Sequence, residues 1–332
     1  MEFSDLVDLA SEKLGGAVLF ANDEFFAPKE SLLKASVPIW VEGKYTERGK
    51  WMDGWETQRR RSPRLDEEFD WCLVRLGSPG RIRCVTVDTS FFRGNFPSHC
   101  SIDACSADPK SDLAELLGEK TQWAEILSKA ALSGDTQNNF AVDYPERATH
   151  VRLKIFPDGG VARLRIHGDV LPDWDSLKKR DSEIDLAAVE NDGTVPLASD
   201  MFFGHRSNLI MPGLARDMSD GWESQRRRGP GHDWCIIKLG TRGRITRVEV
   251  DTSHFKGNYP ESCSIDVGRA DASTSFDSIE WQELLPNTKL QPHTRHTFVR
   301  ELADVGNVTH ARLNIFPDGG VSRLRLYGRI AV

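Results

Sequence analysis

The chain has 332 residues, 39% of them apolar and 28% charged, with a formal net charge of −7. That length suits two domains of about 150 residues, each able to bury its own core. The charge argues against a general nucleic-acid binder, and no apolar run nears the roughly 18 residues of a membrane span.

Residues 1–16 are acidic and amphipathic, with no basic leader, which points to a cytoplasmic protein. A helix-like DLVDL segment opens the chain, followed by a turn and Phe25-Phe26. The cassette DGWETQRRR occupies 53–61. Residues 71–76 (WCLVRL) read as an apolar strand ended by glycine, and 81–87 (RIRCVTV) as a second, alternating strand. Next comes DTSFFRGNFP (88–97), where the glycine is expected to permit a sharp turn. Residues 101–104 suggest a strand, and 111–118 (SDLAELLG) a short helix with a serine N-cap and a glycine stop. The segments 150–155 and 161–166 alternate about PDGG, which reads as a hairpin-like unit with a tight turn.

The pattern then repeats. DGWESQRRR stands at 220–228 and DTSHFKGNYP at 251–260, while 312–328 match 152–168 at thirteen of seventeen positions. A DLAAV opening at 185–189 mirrors the first one, and a charged, proline-containing stretch precedes it. The chain therefore reads as two like domains, 1–170 and 185–332, joined by a linker at 171–184. Many short strands with Gly/Pro turns and few helices indicate an all-β protein with an antiparallel sandwich in each half. The six cysteines form no CxxC pair and sit in apolar stretches, as buried free thiols do.

Chemistry concentrates in the duplicated motifs. On an extended RRR segment the outer arginines share one face and the middle one points away. Pairing with Asp53 or Glu56 and their counterparts Asp220 or Glu223 would make them structural; a free guanidinium fork would clamp a substrate carboxylate. His232 beside Asp233 in a Gly/Pro turn, and His254 within the second DTS motif, are acid–base candidates, where the first copy has Phe69 and Phe91. Asp88/Asp251 end strands, Asn95/Asn258 suit a turn or an amide ligand, and Asp158/Asp318 read as turn residues. His150/His310 read as structural. No nucleophile elbow, P-loop, dinucleotide fingerprint, HExxH or zinc spacing is present.

Taken together, DGWE(T/S)QRRR, GHDWCIIKLG (231–240), VDTS(F/H)F(R/K)GN(F/Y)P and RLxIFPDGGVxRLRxxG resemble the allantoicase family, in order and over nearly the whole chain. The resemblance implies two tandem jelly-roll sandwiches similar to galactose-binding (discoidin-like) domains. It also implies hydrolysis of allantoate to ureidoglycolate and urea in purine breakdown. The first copy departs from GHDW at 62–70, which favours a site in the second. There Glu223, His232, Asp251 and His254 are expected to supply acid, base and orientation, while Arg226, Arg228, Asn258 and Asp220 bind substrate. A divalent metal is left open as an alternative way to polarise the ureido oxygen. The expected partners are a small-molecule substrate and further copies of the chain. The rival reading is a non-catalytic sandwich that binds a small ligand or sugar, with Trp55, Trp71, Trp222 and Trp234 as its platform.

Overall fold

The computed structural model describes residues 6–60, 69–179, 182–271 and 274–331. It divides into two units, Met1–Leu171 and Pro172–Val332. Each unit is a jelly-roll β-sandwich, and all its strand pairings are antiparallel. Among the described residues helix is confined to Leu113–Leu117, Trp174–Lys179 and a few 3-10 turns. Among the described residues no helix is long and apolar enough to cross a membrane.

One long strand organises the first unit. The two strands expected at 71–76 and 81–87 are one 19-residue strand, Asp70–Asp88. Its first part pairs with Ala148–Phe156, from Asp70↔Ile155 to Arg75↔His150, and with Ala17–Ala21. Its last part pairs with Arg163–Val170, from Arg81↔Asp169 to Asp88↔Arg163, and with Gln137–Ala141. The strand thus belongs to both layers and bends between them. His99–Cys105 and Ala124–Ala131 extend the first layer, and Val7–Asp8 the second. The bend falls at Gly77–Gly80, where a Cβ on Gly80 would lie 2.3 Å from the Asp169 carbonyl oxygen. Glycine is therefore required for the second layer to pass this close. Asp233–Asp251 plays the same part in the second unit, pairing with Val308–Phe316 and then with Arg323–Ile330.

This topology overturns the hairpin expected around PDGG. Ala148–Phe156 and Arg163–Val170 pair with different parts of the long strand, so PDGG carries the chain from one layer to the other. At its end, Gly160–Val161 pairs with Trp55–Glu56, and Gly320–Val321 with Trp222–Glu223. The helix-like openings are two-residue strands, Val7–Asp8 and Ile184–Asp185, each followed by a 3-10 turn. The short helix is capped by Asp112 rather than serine; its carboxylate accepts from Glu115 N, and Glu115 reaches back to complete a capping box.

The core lies between the layers. Val74, Val85, Val87, Ile102, Leu153, Leu164 and Ile166 are fully buried in the first unit. Each such side chain contributes roughly 1.5–3 kcal/mol relative to exposure. The cassette tryptophans Trp55 and Trp222 are also fully buried, and their indole N–H groups donate to the carbonyls of Asp23 and Asp200, both at 2.8 Å. They are core anchors and cannot form an exposed platform. All six cysteines are free and buried, and burial pushes every thiol up, to about 12 at Cys100, Cys105 and Cys263. They are poor nucleophiles as a result.

Candidate functional site

Three duplicated motifs meet at one end of each sandwich, with PDGG as the hub. In the first copy, Asp158 Oδ2 accepts from the backbone N–H of Arg60 at 2.8 Å, Thr57 N donates to Gly159 O at 3.1 Å, and Gly160 N donates to Asn95 O at 2.8 Å. In the second copy Asp318 accepts from Arg227 N at 2.8 Å, Ser224 N donates to Gly319 O at 3.1 Å, and Gly320 N donates to Asn258 O at 2.8 Å. Asp158 and Asp318, read from sequence as turn residues, thus tie the arginine cassette to the interlayer crossing.

The arginine alternation holds among the described residues. Arg227 turns inward, where its Nη2 donates to Asp233 Oδ1 at 2.5 Å; Arg60 does the same with Asp70. Their partner is the first residue of the long strand, not the cassette acids. Arg59, Arg226 and Arg228 are exposed and carry no partner among the described residues, while Arg61 lies outside them.

The cassette acids divide by role. Asp53 and Asp220 are buried against Arg163 and Arg323, at 2.6 and 3.1 Å, and serve the fold. Glu56 is also buried, and its Oε1 accepts from Asn95 Nδ2 at 2.7 Å. Glu223 accepts from Asn258 in the same way. Burial pushes the Glu56 carboxyl above the usual range, against the lowering effect of the Asn95 amide.

In the first copy this pair opens into a pocket of about 620 Å³, with Arg59 and Lys50 as cations and Trp40 and Phe91 on its walls. Trp40 and Lys50 come from residues 28–52, between Ala27 and the cassette; the second copy has only 205–219 there. That difference in length is visible in the sequence and marks the pocket-building segment. At the positions corresponding to Glu56, Arg59, Phe91 and Asn95, the second copy carries Glu223, Arg226, His254 and Asn258.

The turn after Asp88 and Asp251 departs from expectation. Neither Gly94 nor Gly257 is left-handed; Phe91 (φ 69°) and His254 (φ 71°) are. Such φ values are costly for bulky residues and need support from their surroundings. That support comes from hydrogen bonds: Phe91 N donates to Asp135 Oδ1 and His254 N to His293 Nδ1, each at 2.7 Å. His254 Nε2 lies 3.0 Å from the carbonyl of Ala215, which can only accept, so Nε2 carries the proton and Nδ1 is the basic nitrogen.

The remaining expected site residues are placed elsewhere. His232 packs on Phe316, with ring centroids 4.6 Å apart, and its Nε2 is 3.3 Å from Asn314 Oδ1. Its counterpart Phe69 is not on the pocket wall. Asp251 Oδ1 accepts from Ser253 N at 2.8 Å, and Asp251 faces a smaller cavity of about 220 Å³ together with Arg295, Arg323 and Arg325. Among the described residues no three His, Cys, Asp or Glu side chains gather as a metal site requires. The pocket offers one carboxylate, one amide and several cations, a donor set that does not suit a divalent cation.

Comparison with known proteins follows the same duplicated layout. A family profile described as the allantoicase repeat matches residues 7–171 and 184–331. A probable allantoicase of Photobacterium profundum is 48% identical over 332 residues, covering 99% of this chain and 98% of that one. The allantoicase of Dictyostelium discoideum is 46% identical over 327 residues, covering 97% and 87%. The crystal structure of allantoicase from Saccharomyces cerevisiae superposes with a TM-score of 0.80 at 34% identity, covering 97% of this chain and 92% of that one.

Proposed function

The chain belongs to the allantoicase repeat family, and from that premise we propose that it hydrolyses allantoate to ureidoglycolate and urea. It is a hydrolase of carbon–nitrogen bonds acting on a small ureide in purine degradation. Allantoate bears a carboxylate and two ureido groups on one carbon. Hydrolysis breaks one C–N bond at that carbon, returns a proton to the departing ureido nitrogen and leaves the water oxygen on the carbon.

The observation that carries this reading is the Glu–Asn pair, built alike in both copies beside an arginine that has no partner among the described residues. In the second copy Arg226, with Arg228 two residues on, clamps the carboxylate. Asn258, whose amide nitrogen is committed to Glu223, offers its oxygen to a ureido N–H. Glu223 protonates the departing urea, and His254 Nδ1 removes the proton from water. His232 and Asp251 act on orientation rather than on the reacting atoms, and Asp220 holds the cassette in place. Six buried thiols without a disulfide support a reducing, cytoplasmic compartment.

Urea release from allantoate by the purified chain, with and without exhaustive chelation, tests the reading. Release insensitive to chelator is the expected result. A protein that binds a sugar and releases no urea would be the non-catalytic module instead.

A further inference from the structure

The first copy is not a worn duplicate of the second. Its pocket has walls that the second copy lacks, because Trp40 and Lys50 come from the longer 28–52 segment. The Lys50 ammonium sits 4.1 Å from the centroid of the Trp40 ring, which fixes a cation at the wall. Arg59 adds a second cation with no partner among the described residues. Glu56 and Asn95 supply the opposite lining: Asn95 uses its Nδ2 on Glu56 Oε1, leaving the amide oxygen to accept and Glu56 Oε2 without a hydrogen bond among the described residues. Trp40 and Phe91, with ring centroids 6.1 Å apart and planes inclined by 31°, form an apolar wall. Phe91 stands where the second copy has the imidazole of His254.

We propose that this pocket is a separate binding site for a small carboxylate that also bears a ureido or amide group. The cations of Lys50 and Arg59 hold the carboxylate. Glu56 and Asn95 take the N–H groups of the planar ureide, whose face lies on Trp40. A volume of about 620 Å³ falls within the range of ordinary small-molecule sites. The ligand class rests on the functional reading above, whereas the site itself rests on the first copy's own residues.

The test titrates the full-length protein with hydantoate (N-carbamoylglycine), which has one ureido group and one carboxylate and no second ureido group to expel. Binding is followed by calorimetry and by tryptophan fluorescence. Wild-type protein is expected to show a saturable event that Lys50→Ala/Arg59→Ala weakens at least tenfold and Arg226→Ala/Arg228→Ala leaves in place. Trp40→Phe should remove the accompanying fluorescence change while the protein stays folded by circular dichroism. Acetate, which lacks the ureide, should bind at least tenfold more weakly than hydantoate. Hydantoate binding that is absent, or that only the second-copy variant abolishes, overturns the proposal. Urea release from allantoate separates the two ideas. An active enzyme with no first-copy binding sinks this site alone, and first-copy binding in a protein that releases no urea sinks the catalytic reading alone.

Discussion

Arg163 Nη2 donates to Asp53 Oδ2 across 2.6 Å, and the Arg163 side chain is 1% exposed. The same guanidinium also donates to the carbonyls of Asp53, Ala162 and Ser36, so it locks the cassette onto the strand after PDGG. Arg323 and Asp220 form the equivalent pair in the second copy. Removing one partner of a buried pair strands the other charge, at a cost of about 3–5 kcal/mol. Arg323→Met should therefore lower the thermal midpoint strongly. Asp220→Asn should lose stability before it loses turnover, and an Asp220→Asn protein that is fully stable yet inactive would refute the structural role given to Asp220.

The three arginines of the second cassette should separate by readout. On the proposed carboxylate clamp, Arg226→Ala is expected to cost about 1.5–3 kcal/mol of charge-assisted binding and so to raise KM for allantoate roughly 10- to 150-fold with little change in thermal midpoint. Arg227→Ala leaves Asp233 without its ion pair and should lower the thermal midpoint instead. Steady-state kinetics beside thermal unfolding of both variants decides between these outcomes.

Glu223→Gln keeps the shape and the contact with Asn258 but cannot donate a carboxyl proton. A loss of about 10²–10⁴ in kcat with the fold intact is expected. His254→Asn should cost a similar factor, because asparagine tolerates the left-handed backbone but offers no ring nitrogen to take the proton from water. Wild-type turnover in both variants would remove these two residues from the chemistry.

His150 lies fully buried with Nε2 lacking a hydrogen-bond partner among the described residues, and burial pushes its imidazole down to about 4. In the unfolded chain it titrates near 6.5. Between those values the unfolded state binds the proton and the folded state does not, so stability falls as pH drops from about 6.5 toward 4 and is fully kept above that window. The difference amounts to about 3 kcal/mol. Chemical denaturation of wild type and His150→Gln across pH 4–7 should show a shallower slope for the variant.

Gly320 passes against the ring of the fully buried Phe255, and a Cβ there would fall 1.9 Å from Cε1. Gly320→Ala is expected to destabilise by about 1–3 kcal/mol through overpacking. Adding Phe255→Leu should recover part of that loss, and additive losses in the double variant would show that the clash is not with this ring.

Much of the molecule was legible in the residues alone, because periodicity and duplication are local properties. The apolar run at 71–76, the alternation at 81–87, the buried cysteines and the separation of the middle arginine from its two neighbours all follow from strand geometry and apolar patterning. The Glu–Asn pairing was not legible, since Glu56 and Asn95 are 39 positions apart and meet only when Gly160 brings the two loops together. Nor was the fate of Asp53 and Asp220, whose guanidinium partners lie more than a hundred residues away. The sequence by itself determined the duplication, the all-β class and the family. Tertiary structure alone decided which of the motif side chains share a pocket and which are committed to holding it. Side-chain convergence depends on where a bent strand and an interlayer crossing place their ends, and no short stretch of sequence encodes that.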